Sequence, residues 1–265
     1  EPKKLKTNKT TLKNGAQIIG IKMPSAKSVV INFGFRVGSR DEDPQYAGIS
    51  HFLEHMVFKG SQKRPTASAI AKEADRIGAK YNAFTGKEYT CFYIQTTKDN
   101  FKLGLDIVGD MVTRPLIKPS ELKKEVGTII EEIKMYGDNP MINIFGKMEE
   151  TLFGPKSPMG REIAGDAKTV QNITANIMRK YFKEFYVGQN TVLVIAGNYP
   201  DDYIKQVATY LNRLPKGERN QRILDSKFKN SVKLITKQTE QAHFGICLPS
   251  YSIADKDKNV AEIVA

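Results

Sequence analysis

Apolar and polar positions alternate through residues 9–36 on either side of Asn14-Gly15, a pair that favours a tight hairpin turn, and the pattern runs on through Val29-Val30-Ile31-Asn32-Phe33-Gly34-Phe35. These stretches are predicted strands. From residue 49 the period changes, with Ile49, Phe52, Leu53, Met56 and Val57 recurring at the spacing of one helical face. The same reasoning predicts a short helix over 67–77, strands over 80–85 and 89–97, and a helix over 101–112. Residues 121–136 form a clearer amphipathic pattern, with Leu122, Val126, Ile129, Ile130 and Ile133 on one stripe and Pro119-Ser120 near its start. Helices over 140–153, 173–185 and 203–211 and a buried strand over 191–196 complete the run. Helices and strands mix without a regular βαβ alternation, so the predicted fold is α+β, a mostly antiparallel sheet packed with helices, and not a doubly wound sheet.

The pattern weakens after Leu214. The run from Pro215 to Lys229, PKGERNQRILDSKFK, is polar and charged, which predicts one domain over 1–216 and a linker over 217–229. Beyond it, 232–235 and 242–247 read as strands and 255–265 as the start of a helix. Residues 230–265 are therefore expected to begin a second domain that stops soon after it starts, since about forty residues cannot bury a core of their own.

Composition narrows the function classes. A hydrophobic content of 40% over 265 residues is that of an ordinary globular protein. The net charge is +12, but the 41 Lys and Arg are spread along the chain without a basic tail or a nucleic-acid motif, so a Lys-rich solvated surface is expected and no nucleic-acid partner. Acidic peptides or an anionic membrane surface remain compatible with that charge. Cys91 and Cys247 lack zinc spacing and are expected as reduced thiols. There is no apolar run near the length of a membrane span and no secretory signal in EPKKLKTNKT, so a cytoplasmic location is the default expectation. The chain begins without Met, and a leader removed before Glu1 is compatible with it.

Two of the three histidines stand in His51-Phe52-Leu53-Glu54-His55. Residues four apart lie one above the other on a helix, so both imidazoles can face one metal ion, with Glu54 close enough to act as general base toward a water held there. The order H-x-x-E-H inverts the common H-E-x-x-H zinc pattern. The alternative is a set of ordinary polar residues on an amphipathic helix. A catalytic zinc takes three protein ligands, and the helix over 121–136 supplies adjacent acids, Glu131 and Glu132. The helical wheel turns Glu131 to solvent and places Glu132 on the margin of the apolar stripe with Glu125, so Glu132 is the expected third ligand and Glu125 the group that orients a ligand or takes a proton. His243 is expected on a strand, away from the metal.

These residues resemble the inverted zincins, the family of pitrilysin, insulin-degrading enzyme and mitochondrial processing peptidase. In that family the third ligand closes an E-x-x-x-x-x-x-E segment, which Glu125-Val126-Gly127-Thr128-Ile129-Ile130-Glu131-Glu132 matches, 77 residues after His55. Gly38-Ser39-Arg40-Asp41-Glu42 and the run from Gly48 to Ser61 look like the bacterial and mitochondrial processing-peptidase branch. Asn82-Ala83-Phe84-Thr85 resembles the segment whose strand edge receives substrate backbone, and Gly160-Arg161, Tyr186 and the run from Asn190 to Asn198 resemble the close of the family's first domain. Val126 stands where the family often has Arg.

The resemblance implies the first domain of a two-domain half of that fold and a zinc metalloendopeptidase with one Zn²⁺ on His51, His55 and Glu132. It further implies catalysis by Glu54 with Glu125, and an extended peptide substrate along Asn82, Ala83, Phe84 and Thr85. A second domain, homodimer mate or partner subunit is expected to complete the site, because the Arg and Tyr that the family supplies from a later domain have no match here. The other expectation is a non-catalytic scaffold or partner subunit of the same fold.

Overall fold

A computed structural model of the chain describes residues 7–222, 231–237 and 241–264. These fall into two compact units, the first holding 7–133 and 162–222 and the second 134–161, 231–237 and 241–264.

The first unit is built on a six-stranded sheet in the order β1-β2-β6-β3-β5-β4, comprising β1 (Thr7–Thr11), β2 (Gln17–Lys22), β3 (Ser28–Phe35), β4 (Lys80–Thr85), β5 (Thr90–Thr97) and β6 (Thr191–Gly197). Every pairing is antiparallel except β2 with β6. The Asn14-Gly15 hairpin forms as expected, with Gly15 at φ 89°. Along β3 every second residue, Val29, Ile31, Phe33 and Phe35, is fully buried, and Leu193 and Ile195 of β6 and Ile18 of β2 join them in one core. Helices α1 (Ile49–Val57), α2 (Ala67–Arg76), α3 (Phe101–Thr113), α4 (Pro119–Asp138), α7 (Ala175–Phe185) and α8 (Tyr203–Leu211) contribute apolar residues to that core. The structure is thus α+β with a mostly antiparallel sheet.

α6 (Ala167–Asn172) has no counterpart in the periodicity, because six residues are too short to show a helical face. Its signal is the cap: the Asp166 carboxylate accepts from the N–H groups of Lys168 and Thr169 at 2.8 and 2.9 Å.

An ion cluster ties α3 to its neighbours. Asp106 accepts from Lys63, Arg64 and Tyr210 at 2.5, 2.9 and 2.5 Å. Burial pushes the Asp106 carboxyl up, but the three donors together outweigh it and hold the group down at about 2, against 3.8 for a free Asp. A depressed acid contributes stability above its unfolded value that is lost as pH falls through the folded one. The expected result is a melting temperature that drops between about pH 4 and about pH 2; in Asp106→Asn it starts lower and this part of the acid-dependent drop is missing. Thermal melts of both proteins across that range check it.

Residues 215–222 stay with the first unit. Arg222 pairs bidentately with Asp41 at 2.9 and 2.8 Å, Arg36 donates to the Asn220 carbonyl at 2.6 Å, and the Asn220 N–H donates to Asn190. The front of the predicted linker is therefore hydrogen-bonded backbone, up to residue 222.

The second unit contains the end of α4, α5 (Pro140–Phe153) and α9 (Lys258–Val264). The strands expected over 232–235 and 242–247 do not form among the described residues, and His243 stands exposed in irregular backbone. Val232, Leu234 and Phe244 are 98%, 92% and 87% exposed. A strand needs a neighbour to take its N–H and C=O groups, and alternating apolar residues alone do not supply one. Side chains make the contacts instead, as in the Lys233–Glu150 pair at 2.9 Å.

Candidate metal centre

The centre begins with how α1 is started. Gly48 precedes the helix at φ 96°, a left-handed conformation that suits glycine, and a Cβ there would lie 2.4 Å from the Ala164 carbonyl oxygen. Gly165, at φ 72°, presses back against the Ala47 carbonyl in the same way. No side chain of the cap residue is available to the helix, and the carboxylate of Glu42, 5% exposed, does that work by accepting from the N–H groups of Gly48 and Ser50 at 2.8 Å each. An anion at a helix N-terminus also meets the positive end of the helix dipole. Glu42 belongs to the Gly38 to Glu42 segment that carries the resemblance, but its capping role is not readable there, because it lies outside the helix it caps. Gly48→Ala is expected to lower stability by about 2 kcal/mol or more, from the left-handed strain and the clash together, which denaturant unfolding measures.

With α1 seated, Phe52, Leu53, Met56 and Val57 are fully buried and His51, Glu54 and His55 emerge together on the other side. α4 brings Glu132 to them. The two imidazole Nε2 atoms are 3.3 Å apart, and Glu132 oxygens lie 3.7 Å from His51 Nε2 and 3.4 Å from His55 Nε2. Glu131, next in the chain, is exposed. Metal–ligand lengths of about 2.0–2.2 Å at tetrahedral angles separate donor atoms by about 3.4 Å, so three donors at these spacings fit one zinc-sized ion. Among the described residues this is the one group of His, Cys and carboxylate donors close enough to hold a metal.

The charge states suit that use. Burial, with the neighbouring His55 adding to it, pulls the His51 imidazole down to about 4 against the opposing pull of Glu132, so it is neutral at neutral pH, as a metal ligand must be. Burial pushes the Glu54 carboxyl above the usual carboxylate range, opposed by a hydrogen bond from Thr85 and by His55. A higher pKa makes a carboxylate a better proton acceptor near neutral pH. Thr85 Oγ1 donates to Glu54 Oε2 at 2.5 Å, which leaves the other oxygen of the base for a water.

Glu125, the other predicted acid, lies behind the histidine pair. Its Oε1 meets His55 Nδ1 at 2.9 Å and its Oε2 meets Lys59 Nζ at 2.6 Å, with the residue 5% exposed. Burial alone would raise its pKa, but the hydrogen bonds from His55 and Lys59 together bring the carboxyl below its ordinary value. A carboxylate on Nδ1 makes that nitrogen the N–H and frees the Nε2 lone pair. His51 has no such support: its Nδ1 is buried without a hydrogen-bond partner. Lys59 lies within the Gly48 to Ser61 run that carries the resemblance, but its pairing with Glu125 is not readable there, because it follows the helix and carries none of the H-x-x-E-H signal.

The predicted substrate residues lie on β4, at one edge of the sheet. Asn82 is exposed and its Oδ1 accepts from the Ala83 N–H at 2.9 Å, while Phe84 is 43% exposed and edge-on to Tyr89. Thr85 is the exception among the four, since its hydroxyl serves Glu54. Glu54, His55, Phe58, Lys59, Asn82 and Glu125 line one open cleft, so the base, one of the two histidines and the strand edge share a single concavity.

Residues 17–166 match the family model described as insulinase (peptidase family M16), and residues 172–265 match that of the peptidase M16 inactive domain. The Bacillus subtilis protein YmxG, named an uncharacterized zinc protease, is 36% identical over 90% of this chain and 57% of its own length. This chain therefore spans little more than half of that relative. Among solved structures, the peptidase M16 inactive domain from Pseudomonas fluorescens superposes with a TM-score of 0.76 at 19% identity, covering 83% of this chain and 53% of that one. Pitrilysin superposes with 0.74 at 22%, covering 84% and 24%. No helix among the described residues is long and apolar enough to cross a membrane.

Proposed function

The chain belongs to the insulinase-type peptidases of family M16, and on that premise we propose that it is a zinc-dependent metalloendopeptidase cleaving extended, unstructured peptides in the manner of processing peptidases. The observation that carries this reading is the convergence of His51, His55 and Glu132 within zinc-ligand spacing, with the Glu54 carboxylate on the same helix face. Zinc bound there acts as a Lewis acid and makes water nucleophilic near neutral pH.

The chain's own residues do the rest. Glu54, its orientation set by Thr85, takes the proton of the attacking water and returns it to the leaving amine. Glu125 holds His55 in the tautomer a ligand needs. The peptide adds as a strand along β4, where Asn82 to Thr85 lie at the sheet edge and the Ala83 N–H is available once Asn82 releases it. Backbone reading of this kind tolerates many side chains but requires an extended substrate. Because the chain spans 57% of its relative YmxG, a second domain, a homodimer mate or a partner subunit completing the cleft is part of the proposal.

Metal content by mass spectrometry, run beside hydrolysis of an unstructured fluorogenic peptide with and without chelator, tests it. One zinc with chelator-sensitive cleavage is the expected result. Zinc without cleavage assigns the missing step to the completing partner, and a chain that takes up no zinc refutes the reading.

A further inference from the structure

We propose that Lys59 is a positioning residue of the metal centre, its ammonium pinning one oxygen of Glu125 so that the other stays on His55 Nδ1 and His55 Nε2 stays turned toward His51 and Glu132. The inference rests on the metallopeptidase reading and adds to it a residue outside the H-x-x-E-H and E-x-x-x-x-x-x-E segments.

Three observations carry it. First, the two oxygens of Glu125 are divided, Oε1 to His55 and Oε2 to Lys59, so the carboxylate cannot turn without breaking one of the contacts. Second, the support of the two histidines is unequal. His51 Nδ1 has no hydrogen-bond partner, so the ring orientation that outer groups enforce is enforced through His55, and hence through Glu125. Third, Lys59 is itself held at the root of its side chain. Its N–H donates to the Met56 carbonyl at 3.1 Å, and the next carbonyl, of Gly60, accepts from Leu116 at 3.0 Å.

The ordinary alternative is a surface ion pair, of the kind that contributes little. Burial decides against it. The Glu125 side chain is 7% exposed, and a carboxylate buried to that degree needs its cation, since removing one partner of a buried pair leaves a charge uncompensated. Without Lys59, the freed Oε2 leaves the Glu125 carboxylate able to turn toward water, and that rotation loosens its hold on His55.

Zinc affinity of the whole chain, measured by competition with a chromophoric chelator, tests the inference without any need for peptidase activity. Groups that orient metal ligands typically change affinity about 10- to 100-fold, and Lys59 acts one contact further out, so Lys59→Met is expected to weaken zinc binding about tenfold. Lys59→Arg, which keeps the cation, should return it close to the wild-type value. In a Glu125→Gln background, Lys59→Met should have no further effect, because the residue through which it acts is already changed. Lys59→Gln provides a second charge-removing variant should Lys59→Met fail to fold. Zinc held equally by wild type and both charge-removing variants overturns the inference alone, as does an undiminished Lys59→Met effect in the Glu125→Gln background. A wild-type chain that takes up no zinc overturns the peptidase reading and this inference with it.

Discussion

Glu54→Gln is expected to abolish peptide hydrolysis, by about 10²- to 10⁴-fold or more, while zinc content and melting temperature stay at the wild-type level. The reason lies in what the substitution preserves. Gln has the shape of Glu, and its carbonyl oxygen can still accept from Thr85, so the geometry of α1 is retained. What it lacks is a group able to take a proton. Burial has pushed the Glu54 carboxyl up to suit that task, and an amide cannot perform it. Steady-state hydrolysis and metal analysis on one preparation, assembled with its completing partner where cleavage requires one, check the result. Activity that survives the substitution would reassign the proton transfer to another group.

The second large effect is expected at Glu132. Glu132→Ala should lower zinc affinity by at least about 100-fold, the upper end of what is lost when a group that only orients a ligand is removed, whereas Glu131→Ala should leave it unchanged. The two acids are adjacent in sequence but differ in direction by about 100° on the helix. Glu132 is half-buried with its oxygens 3.4 to 3.7 Å from the imidazole nitrogens, and Glu131 is exposed. Chelator competition on the two single variants separates them, and a larger loss in Glu131→Ala would show that α4 presents the other face to the histidines in solution. The contrast is informative because the variants share helix propensity and charge change, leaving position as the difference.

Much of the centre was legible because it is local. His51, Glu54 and His55 fall on one face of a single helix, and the apolar residues between them mark the opposite face unmistakably. The choice of Glu132 over Glu131 needed only the apolar stripe of α4 as a reference direction. The pairing of Glu125 with His55 was foreseen in kind, as an acid behind a ligand, but which nitrogen it would meet depends on how α1 and α4 pack. Thr85 shows the opposite case. Its place on an edge strand was readable, yet its hydroxyl points to the base, since β4 is the strand that packs beside α1 and residues of a strand alternate in direction.

The failures have a common cause. The strands expected over 232–235 and 242–247 had the right alternation but no neighbours, and pairing is a property of the whole sheet. α6 formed from a cap and two turns without a stripe to announce it. Residues 217–222 looked like a solvated linker because Arg219, Asn220 and Arg222 are polar, but Arg222 finds Asp41 and Asn220 finds Arg36 and Asn190, partners 30 to 184 residues away.

By itself, then, the chain's sequence determined what short-range geometry can determine: the helices and strands of the first unit other than α6, the α+β class, and the candidate set of metal-ligating side chains. Helical and strand periods are set by backbone geometry over a few residues, so a linear reading recovers them. The tertiary structure alone decided the rest: that Glu42 caps α1, that Thr85 serves Glu54, and that Lys59 and His55 divide the oxygens of Glu125. Each of those contacts joins residues whose proximity arises only when helices and strands pack, and neither the spacing nor the type of the residues encodes the side-chain directions on which it depends.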